Sequence, residues 1–179
     1  MVFIADRLRA ELAATGARAG GGARQGGRYK PLVLMGSEIP FPFRTRPSAI
    51  VVAGIPAGTI ACMPLLEEWG IASRLASRAG FPGCFEGFVT ELADEWLQTL
   101  APAQLAEVEL FACGPTPMLA AAAAVARRYG VPCQASLEEF MACAVGGCAG
   151  CTVLVRTPEG EAMKRVCVDG PVFDALTVF

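Results

Sequence analysis

The sequence predicts an α/β fold, in which a parallel sheet is covered by helices and is followed by a small cysteine-containing module. Short apolar runs bounded by glycine or proline alternate with helical patterns, and this alternation favours a parallel sheet. After residue 136 the pattern changes to a glycine-rich loop with three cysteines and then to two alternating strands. We therefore divide the chain into an α/β domain at 1–136 and a module at 137–179.

Composition and charge argue against several classes of function. The formal net charge is −2, which offers no electrostatic footprint for nucleic acid. No apolar run approaches the about 20 residues of a membrane-spanning helix, and the first residues lack the pattern of a secretory signal. Eight cysteines without such a signal favour a reducing cytoplasm over a disulfide-linked secreted protein.

The amino-terminal region predicts a helix and a connector. Ile4, Leu8 and Leu12 recur every four residues, which is typical of an amphipathic helix. This helix has no capping residue and no preceding strand, although a helix in an α/β domain normally follows both. We therefore expect Met1 to be internal to a longer natural domain. The stretch 15–28 is rich in glycine and arginine but matches no phosphate-binding motif, so it predicts a flexible connector.

The next region predicts three buried strands and one helix. Apolar runs at 31–36, 49–54 and 71–76 each predict a strand. Prolines between the first two runs exclude a helix there. Residues 60–69 predict a helix that is kinked at Pro64.

Residues 88–136 show the clearest alternation of strand and helix. Phe88, Leu92 and Trp96 share one face of a predicted helix. A strand at 107–113 is followed by a helix that Pro115 opens and that runs to Tyr129, with Gly130 in the terminating position. The last strand of this part is predicted at 131–136.

Four cysteines of the carboxyl-terminal module have the spacing of a metal centre. Cys143, Cys148 and Cys151 follow the pattern Cys-x4-Cys-x2-Cys, and Cys167 comes after two predicted strands joined by a Pro-Glu-Gly turn. Four thiolates with this spacing hold a [2Fe–2S] cluster in plant-type ferredoxins. Glycines between them allow the backbone to curl closely around such a group. The spacing therefore predicts these four cysteines as cluster ligands.

Two other interpretations of these cysteines stay open. Structural zinc usually takes two Cys-x2-Cys pairs or Cys/His pairs, whereas this chain has one such pair and no histidine. The thiols could also form a disulfide or stay free. Of the four remaining cysteines, Cys113 is considered below, and Cys62, Cys84 and Cys133 are predicted to be core or loop residues.

The motifs in the second half of the chain resemble a known family. Residues 111–118 resemble the Cys-Gly-Pro-x-Pro-Met motif of ferredoxin–NAD(P) reductase-like domains. Residues 136–143 and 165–173 resemble the carboxyl end of the electron transfer subunit of type B dihydroorotate dehydrogenase, with all four cysteines at matching positions. Residues 87–90 give a looser match in the first half.

The resemblance implies a nucleotide-binding α/β domain with a [2Fe–2S] module. In that family an amino-terminal barrel binds FAD, the α/β domain binds NAD(H), and the cluster connects both with the FMN of a dihydroorotate dehydrogenase catalytic subunit in pyrimidine biosynthesis. This chain shows no counterpart of the barrel, of the first strand or of the glycine-rich loop that precedes the first helix. The resemblance therefore indicates an amino-terminally truncated subunit of a cytoplasmic hetero-oligomer that is not catalytically complete alone.

The resemblance also implies nucleotide contacts, and no catalytic residue is predicted. Cys113, Gly114 and Pro115 follow a strand, at the edge where open α/β sheets bind ligands. Gly54 and Thr90 are further candidates. The alternative for the first three is a simple strand-to-helix turn with a small buried cysteine.

Two other functions remain possible at this point. One is a related reductase subunit that passes electrons to ferredoxin or to sulfur compounds. The other is a non-redox module that zinc stabilises. A dihydroorotate dehydrogenase catalytic-subunit gene beside this one would favour the electron transfer subunit of that enzyme. A colourless protein that contains zinc would favour the non-redox module.

Overall fold

The computed structural model describes residues 30–179, so the predicted helix at 1–14 and connector at 15–28 lie outside the described residues. The chain forms two compact units, one ending at Thr99 and one running from Leu100 to Phe179. Each unit contains parallel strands and helices, which confirms the predicted α/β fold. The boundary predicted between 136 and 137 falls inside the second unit and stays a prediction. No helix in the described part is long and apolar enough to cross a bilayer.

The first unit is built on a parallel sheet. Its elements are β1 (Leu32–Gly36), β2 (Arg46–Pro47), β3 (Ala61–Cys62), α1 (Pro64–Glu68), β4 (Ala72–Ser77), β5 (Phe85–Glu86) and α2 (Val89–Gln98). The sheet has the order β1-β4-β5 with both pairs parallel, while β2 and β3 form a separate antiparallel pair. Because β1 and β4 run side by side in the same direction, both end at the same edge. A core of Val33, Leu66 and Ile71 packs beneath them.

The second unit combines a sheet with a hairpin. Its elements are α3 (Pro102–Leu105), β6 (Leu110–Cys113), α4 (Thr116–Tyr129), β7 (Cys133–Ser136), β8 (Thr152–Thr157), β9 (Gly160–Arg165), α5 (Val166–Asp169), β10 (Val172–Asp174) and α6 (Ala175–Val178). The sheet order is β10-β7-β6, with β6 and β7 parallel and β10 antiparallel. Strands β8 and β9 form the antiparallel hairpin that the sequence predicts. Leu119 of α4 shares one core with Cys151 and Val166, so the hairpin region is packed into the unit.

The two long helices confirm their sequence patterns. In α2, Leu92 and Leu97 are completely buried, whereas Phe88 precedes the helix and is 48% exposed, so the buried stripe begins at Leu92 and not at Phe88. Helix α4 ends at Tyr129, and Gly130 follows it with φ of 65°. Glycine adopts this left-handed conformation at low cost, which is why it terminates the helix here.

The predicted buried strand at 49–54 is wrong. This segment is a loop in which Val51 is 91% exposed. The N–H groups of Ala49 and Ile50 donate to the Glu67 carboxylate at 2.6 and 3.2 Å, and the Ile50 carbonyl accepts from Arg74 Nη2 at 2.7 Å. Two charged side chains therefore satisfy the backbone groups that a strand ladder would have used.

The predicted helix at 60–69 needs correction at its start. Residues 61–62 form β3, and the helix covers only Pro64–Glu68. Pro64 begins the helix and does not kink it. A proline in the first helical turn loses no hydrogen bond, because the N–H groups of that turn have no partner inside the helix.

Glu67 should make the first unit sensitive to acid. Burial raises the pKa of this carboxyl, but hydrogen bonds from Ser48 and from the N–H of Ala49 outweigh that effect and lower it. A lowered folded pKa stabilises the fold above the unfolded value of about 4.3, and this stabilisation is lost as the pH falls through the folded pKa. We expect Glu67→Gln to reduce the free energy of unfolding at neutral pH by about 1–3 kcal/mol.

Urea unfolding between about pH 3 and pH 7 checks this prediction, because the variant should lose part of the pH dependence. Glu68→Gln is the matched control, since the Glu68 side chain is 62% exposed and lies 3.9 Å from Arg46. Equal pH profiles for Glu67→Gln and Glu68→Gln would contradict the prediction.

Candidate metal centre

The structure brings the four predicted ligand cysteines into two close pairs. Cys151 Sγ and Cys167 Sγ are 3.1 Å apart. The N–H of Cys148 donates to Cys143 Sγ over 3.5 Å, and the Cys148 thiol also hydrogen bonds to that sulfur. The chain's cysteines all lie within the described residues, and all of them are free thiols.

Local geometry explains how each pair forms. Within the cysteine loop, Ala144 and Gly146 have left-handed backbone conformations, with φ of 55° and 72°. These two residues curl the chain between Cys143 and Cys148. The second pair is joined by the hairpin, because Thr152 pairs with Arg165 across β8 and β9 and the N–H of Val166 donates to the Cys151 carbonyl at 3.0 Å.

Hydrogen bonds favour a thiolate in each pair. The pKa of Cys143 is lowered to about 6 because the N–H groups of Cys148 and Val145 donate to its sulfur. The pKa of Cys151 is lowered because the N–H and the thiol of Cys167 donate hydrogen bonds to its sulfur. The pKa of Cys167 is raised because its thiol donates that hydrogen bond to Cys151. Thiolates are the form of cysteine that binds metal.

Cys133 behaves differently from the paired cysteines. It is 2% exposed and lies in the core of the second unit. Burial raises its pKa to about 11, so it stays a neutral thiol at physiological pH. The structure therefore separates a core cysteine, as predicted from the sequence, from cysteines whose surroundings suit metal binding.

The donor set fits a [2Fe–2S] cluster better than a single zinc ion. Such a cluster takes four thiolates, two on each iron, so two pairs of thiols are the arrangement it needs. Structural zinc needs four donors around one point. Among residues 30–179, no group of three or more cysteine, aspartate or glutamate side chains is placed to hold one metal ion.

Arg165 anchors the cysteine loop, a role that sequence reasoning missed. Its Nη1 donates to the Gly146 carbonyl at 2.6 Å, while its backbone N–H donates to Asp169 Oδ2 at 2.7 Å. The default expectation for a charge beside Cys167 is exposure to solvent. The signal that could have identified this role is the position of Arg165 at the end of β9, from which a long side chain can reach the cysteine loop.

Cys113, Gly114 and Pro115 form the turn from β6 into α4. Cys113 is the last residue of β6 and is exposed, so the alternative of a small buried cysteine does not fit. Pro115 caps α4, and a Cβ added to Gly114 would lie 2.9 Å from Met118 Sδ. The turn is tight and presents its cysteine to solvent, and its contact with a nucleotide stays a prediction.

Gly54 and Thr90 belong to the first unit. Gly54 has φ of 84° and packs against the Thr99 side chain, so both its conformation and the available space require glycine. Thr90 lies in the first turn of α2 and is half-buried. These contacts give Gly54 a structural role, and the predicted nucleotide contacts of both residues remain predictions.

Four paired thiols with this spacing, in a chain whose units contain parallel strands, are the arrangement that binds a [2Fe–2S] cluster. Residues 138–179 match the iron–sulfur cluster binding domain of dihydroorotate dehydrogenase B. This match confirms the predicted iron–sulfur module. Together with the relatives described next, it confirms the resemblance to the electron transfer subunit of that enzyme.

Curated relatives with that name include proteins from Caldanaerobacter subterraneus and Geobacillus thermodenitrificans. The first is 44% identical over 89 residues, which cover 49% of this chain and 33% of the relative. The second is 52% identical over 67 residues, which cover 37% of this chain and 24% of the relative. Each alignment therefore spans a third or less of the relative's own length.

A solved structure supports the fold. The structure of an NADH-dependent reduced ferredoxin-NADP oxidoreductase is similar with a TM-score of 0.50 and 26% identity. The similarity covers 67% of this chain and 40% of that one. It agrees with the reductase-like α/β fold that the sequence predicts.

Proposed function

We propose that this chain belongs to the electron transfer subunit of a dihydroorotate dehydrogenase and carries its [2Fe–2S] cluster. In this proposal the subunit connects NAD(H) and FAD with the FMN of a catalytic subunit, in the cytoplasm and in pyrimidine biosynthesis. The observation that carries the proposal is the pairing of four thiols in a segment that matches the iron–sulfur domain of that enzyme.

The residues of the module suit this role. Cys143 and Cys148 would bind one iron, and Cys151 and Cys167 the other. A [2Fe–2S] cluster supplies one-electron chemistry, which suits exchange with flavins. The N–H groups of Cys148 and Cys167 donate to sulfur and would help to set the reduction potential. Arg165 holds the loop in the shape that these contacts need.

The remainder of the described chain suits nicotinamide binding. Open parallel sheets bind dinucleotides at the carboxyl ends of their strands. In the second unit, Cys113, Gly114 and Pro115 occupy such a position after β6, and Gly54 and Thr90 are the candidates in the first unit. In that family the amino-terminal barrel binds FAD, so we propose no FAD contacts for residues 30–179.

Exposed apolar side chains on the cysteine loop support a protein partner. Phe140 is 91% exposed, Val145 84% and Met141 52%. Several large, exposed apolar side chains on one short segment are more typical of an interaction surface than of a surface that contacts only solvent. Because they lie on the loop that carries three of the paired cysteines, we propose that this loop docks on the catalytic subunit.

Polar substitutions on this loop should weaken the complex without removing iron. We expect the double variant Phe140→Ser and Val145→Ser to reduce affinity for the catalytic subunit about tenfold or more, as loss of exposed apolar anchors does at interfaces. Calorimetric titration of the catalytic subunit measures the affinity, and iron content is assayed on the same sample. Val172→Ser is the matched control, because Val172 is 50% exposed but lies in β10. Equal affinities for the double variant and the control would contradict this docking surface.

One experiment tests the proposed cluster directly. The protein is purified without oxygen, its visible spectrum is recorded, and iron, sulfide, zinc and flavin are assayed on one sample. The proposal expects two irons and two sulfides per chain with red-brown absorption. A colourless protein that contains zinc would instead support the non-redox structural module.

A related reductase subunit is the second candidate function. The fold similarity to a ferredoxin-NADP oxidoreductase favours it. Reducing the purified protein and offering it either a dihydroorotate dehydrogenase catalytic subunit or ferredoxin separates the two candidates. Rapid reoxidation by the catalytic subunit supports the first proposal, and rapid reoxidation by ferredoxin alone supports the second.

A further inference from the structure

The side chain of Arg165 connects the two halves of the cysteine site. Arg165 is the last residue of β9, in the hairpin that joins Cys151 to Cys167. From there its Nη1 donates to the carbonyl of Gly146, in the loop that carries the other two cysteines, at 2.6 Å. Hydrogen bonds from a charged donor are shorter and stronger than those between neutral groups. One side chain therefore links the two pairs of thiols.

The peptide group that Arg165 contacts also faces a cysteine sulfur. The Gly146 carbonyl and the Gly147 N–H belong to one planar peptide group, and because its bond is trans they point in opposite directions. The N–H of Gly147 is one of the backbone N–H groups that donate to Cys143 Sγ. Arg165 therefore holds the carbonyl side of a peptide group whose N–H side is directed at a predicted cluster ligand.

Asp169 fixes the backbone from which the Arg165 side chain extends. Asp169 Oδ2 accepts a hydrogen bond from the Arg165 N–H at 2.7 Å, whereas Arg165 Nε lies 3.8 Å from the same oxygen. The longer distance exceeds that of a hydrogen bond, so Asp169 acts mainly on the backbone. Asp169 is also the last residue of α5, the short helix that contains Cys167. The carboxylate thus ties Arg165 to the segment that carries the fourth cysteine.

We propose that Arg165 is a positioning residue that raises the reduction potential of the cluster by acting through the peptide group between Gly146 and Gly147. This inference rests on the proposed function, because it needs a [2Fe–2S] cluster on the four cysteines. Reduction adds one electron to the cluster and breaks no bond, so the reduced cluster carries one more negative charge. Hydrogen bonds to the ligand sulfurs stabilise this added charge and thereby raise the potential.

Arg165 strengthens the hydrogen bond from Gly147 to Cys143 Sγ in two ways. The peptide group lies between two glycines, whose backbone is freer to rotate than that of any other residue, so an anchored carbonyl keeps the N–H directed at sulfur. The positive guanidinium also polarises the peptide group, because hydrogen bonds that follow one another in a chain strengthen each other. Loss of the guanidinium should therefore weaken this hydrogen bond even where the loop keeps its fold.

Reduction potentials of the full chain, purified without oxygen, test the proposal. The cluster is titrated with dithionite against mediators of known potential, the visible absorption is followed, and iron and sulfide are assayed on every sample. We expect Arg165→Gln to shift the equilibrium about tenfold towards the oxidised cluster, which is a fall of about 59 mV for one electron. Arg165→Lys should recover part of this loss, because its ammonium keeps the charge but lacks the rigid guanidinium fork.

Lys164→Gln is the matched control, because it removes the same charge from the neighbouring residue of β9. Successive side chains of a strand point to opposite faces, so Lys164 leaves the hairpin on the face opposite to Arg165. Its substitution should leave the potential nearly unchanged. Equal shifts in Arg165→Gln and Lys164→Gln would overturn the positioning role and leave only a general effect of charge.

Two further outcomes separate this inference from the proposed function. An unchanged potential in Arg165→Gln, with two irons still bound, would overturn the inference and leave the cluster standing. Absence of iron and sulfide from the natural protein would overturn both. Should Arg165→Gln bind too little iron to titrate, Arg165→Lys decides, because the charge is then kept and only the geometry of the hydrogen bond to Gly146 changes. A potential equal to that of the natural protein would then overturn the inference.

Discussion

Cys151→Ser should remove the cluster, leaving about a tenth or less of the iron that the natural protein holds. Cys151 supplies one of four thiolates, and a serine hydroxyl stays protonated at neutral pH and is a poor ligand for iron. The substitution also leaves Cys167, whose sulfur lies 3.1 Å from that of Cys151, without its paired thiol. Iron and sulfide per chain, together with the visible spectrum of anaerobically purified protein, measure the effect.

Cys133→Ser is the control for this prediction. Cys133 and Cys151 are 2% and 3% exposed and belong to the same core. Both substitutions therefore bury a hydroxyl in similar surroundings and should destabilise the fold by a similar amount. Only Cys151→Ser should lose iron, because the pKa of Cys133 is raised to about 11 and its thiol stays protonated. Equal iron contents in the two variants would contradict the ligand assignment.

The four cysteines should behave as one unit. Serine at Cys143, Cys148 or Cys167 should reduce iron content as strongly as serine at Cys151. Combining Cys151→Ser with Cys167→Ser should then cause little further loss, because residues that act together on one site give non-additive effects.

The cysteine site was predictable because its signal is a spacing. Metal ligands on one loop must lie a fixed number of residues apart, so the pattern from Cys143 to Cys151 is visible in the sequence alone. The grouping into pairs depends on the β8–β9 hairpin, which returns Cys167 to Cys151. The alternation of residues in both strands predicted that hairpin, and so most of the arrangement was accessible.

Contacts between distant residues were not predictable in the same way. The segment 49–54 has the composition of a buried strand, yet Glu67 and Arg74 hold its start as a loop. Apolar runs do not reveal a carboxylate that approaches from another element. Strand β10 was missed for a related reason, because its pairing with β7 depends on the return of the chain after the hairpin.

Gly146→Ala should make the cluster labile. Gly146 has φ of 72°, a conformation that costs an alanine about 1–2 kcal/mol. A Cβ at this position would also lie 2.7 Å from Val168 Cγ2, which is closer than van der Waals contact. The residue cannot move freely, because its carbonyl accepts a hydrogen bond from Arg165 at 2.6 Å. The strain should therefore pass to the loop that carries Cys143 and Cys148.

The rate at which iron is released to a chelator measures this lability. We expect Gly146→Ala to release iron about tenfold faster than the natural protein, since about 1.4 kcal/mol of strain corresponds to a factor of ten. Gly147→Ala is the matched control, because its added Cβ would meet only Val145 Cγ2 at 3.9 Å and its φ is not positive. Equal release rates for these two variants would show that the loop does not depend on the conformation of Gly146.

A second substitution separates the two sources of strain. Val168→Ala removes the side chain that a Cβ at Gly146 would meet, but it leaves the left-handed backbone unchanged. Adding it to Gly146→Ala should therefore restore part of the slow release of iron and not all of it. Complete recovery would assign the whole effect to the contact with Val168, and no recovery would assign it to the backbone. In either case the comparison with Gly147→Ala decides whether this one residue controls how firmly the cysteine loop holds its iron.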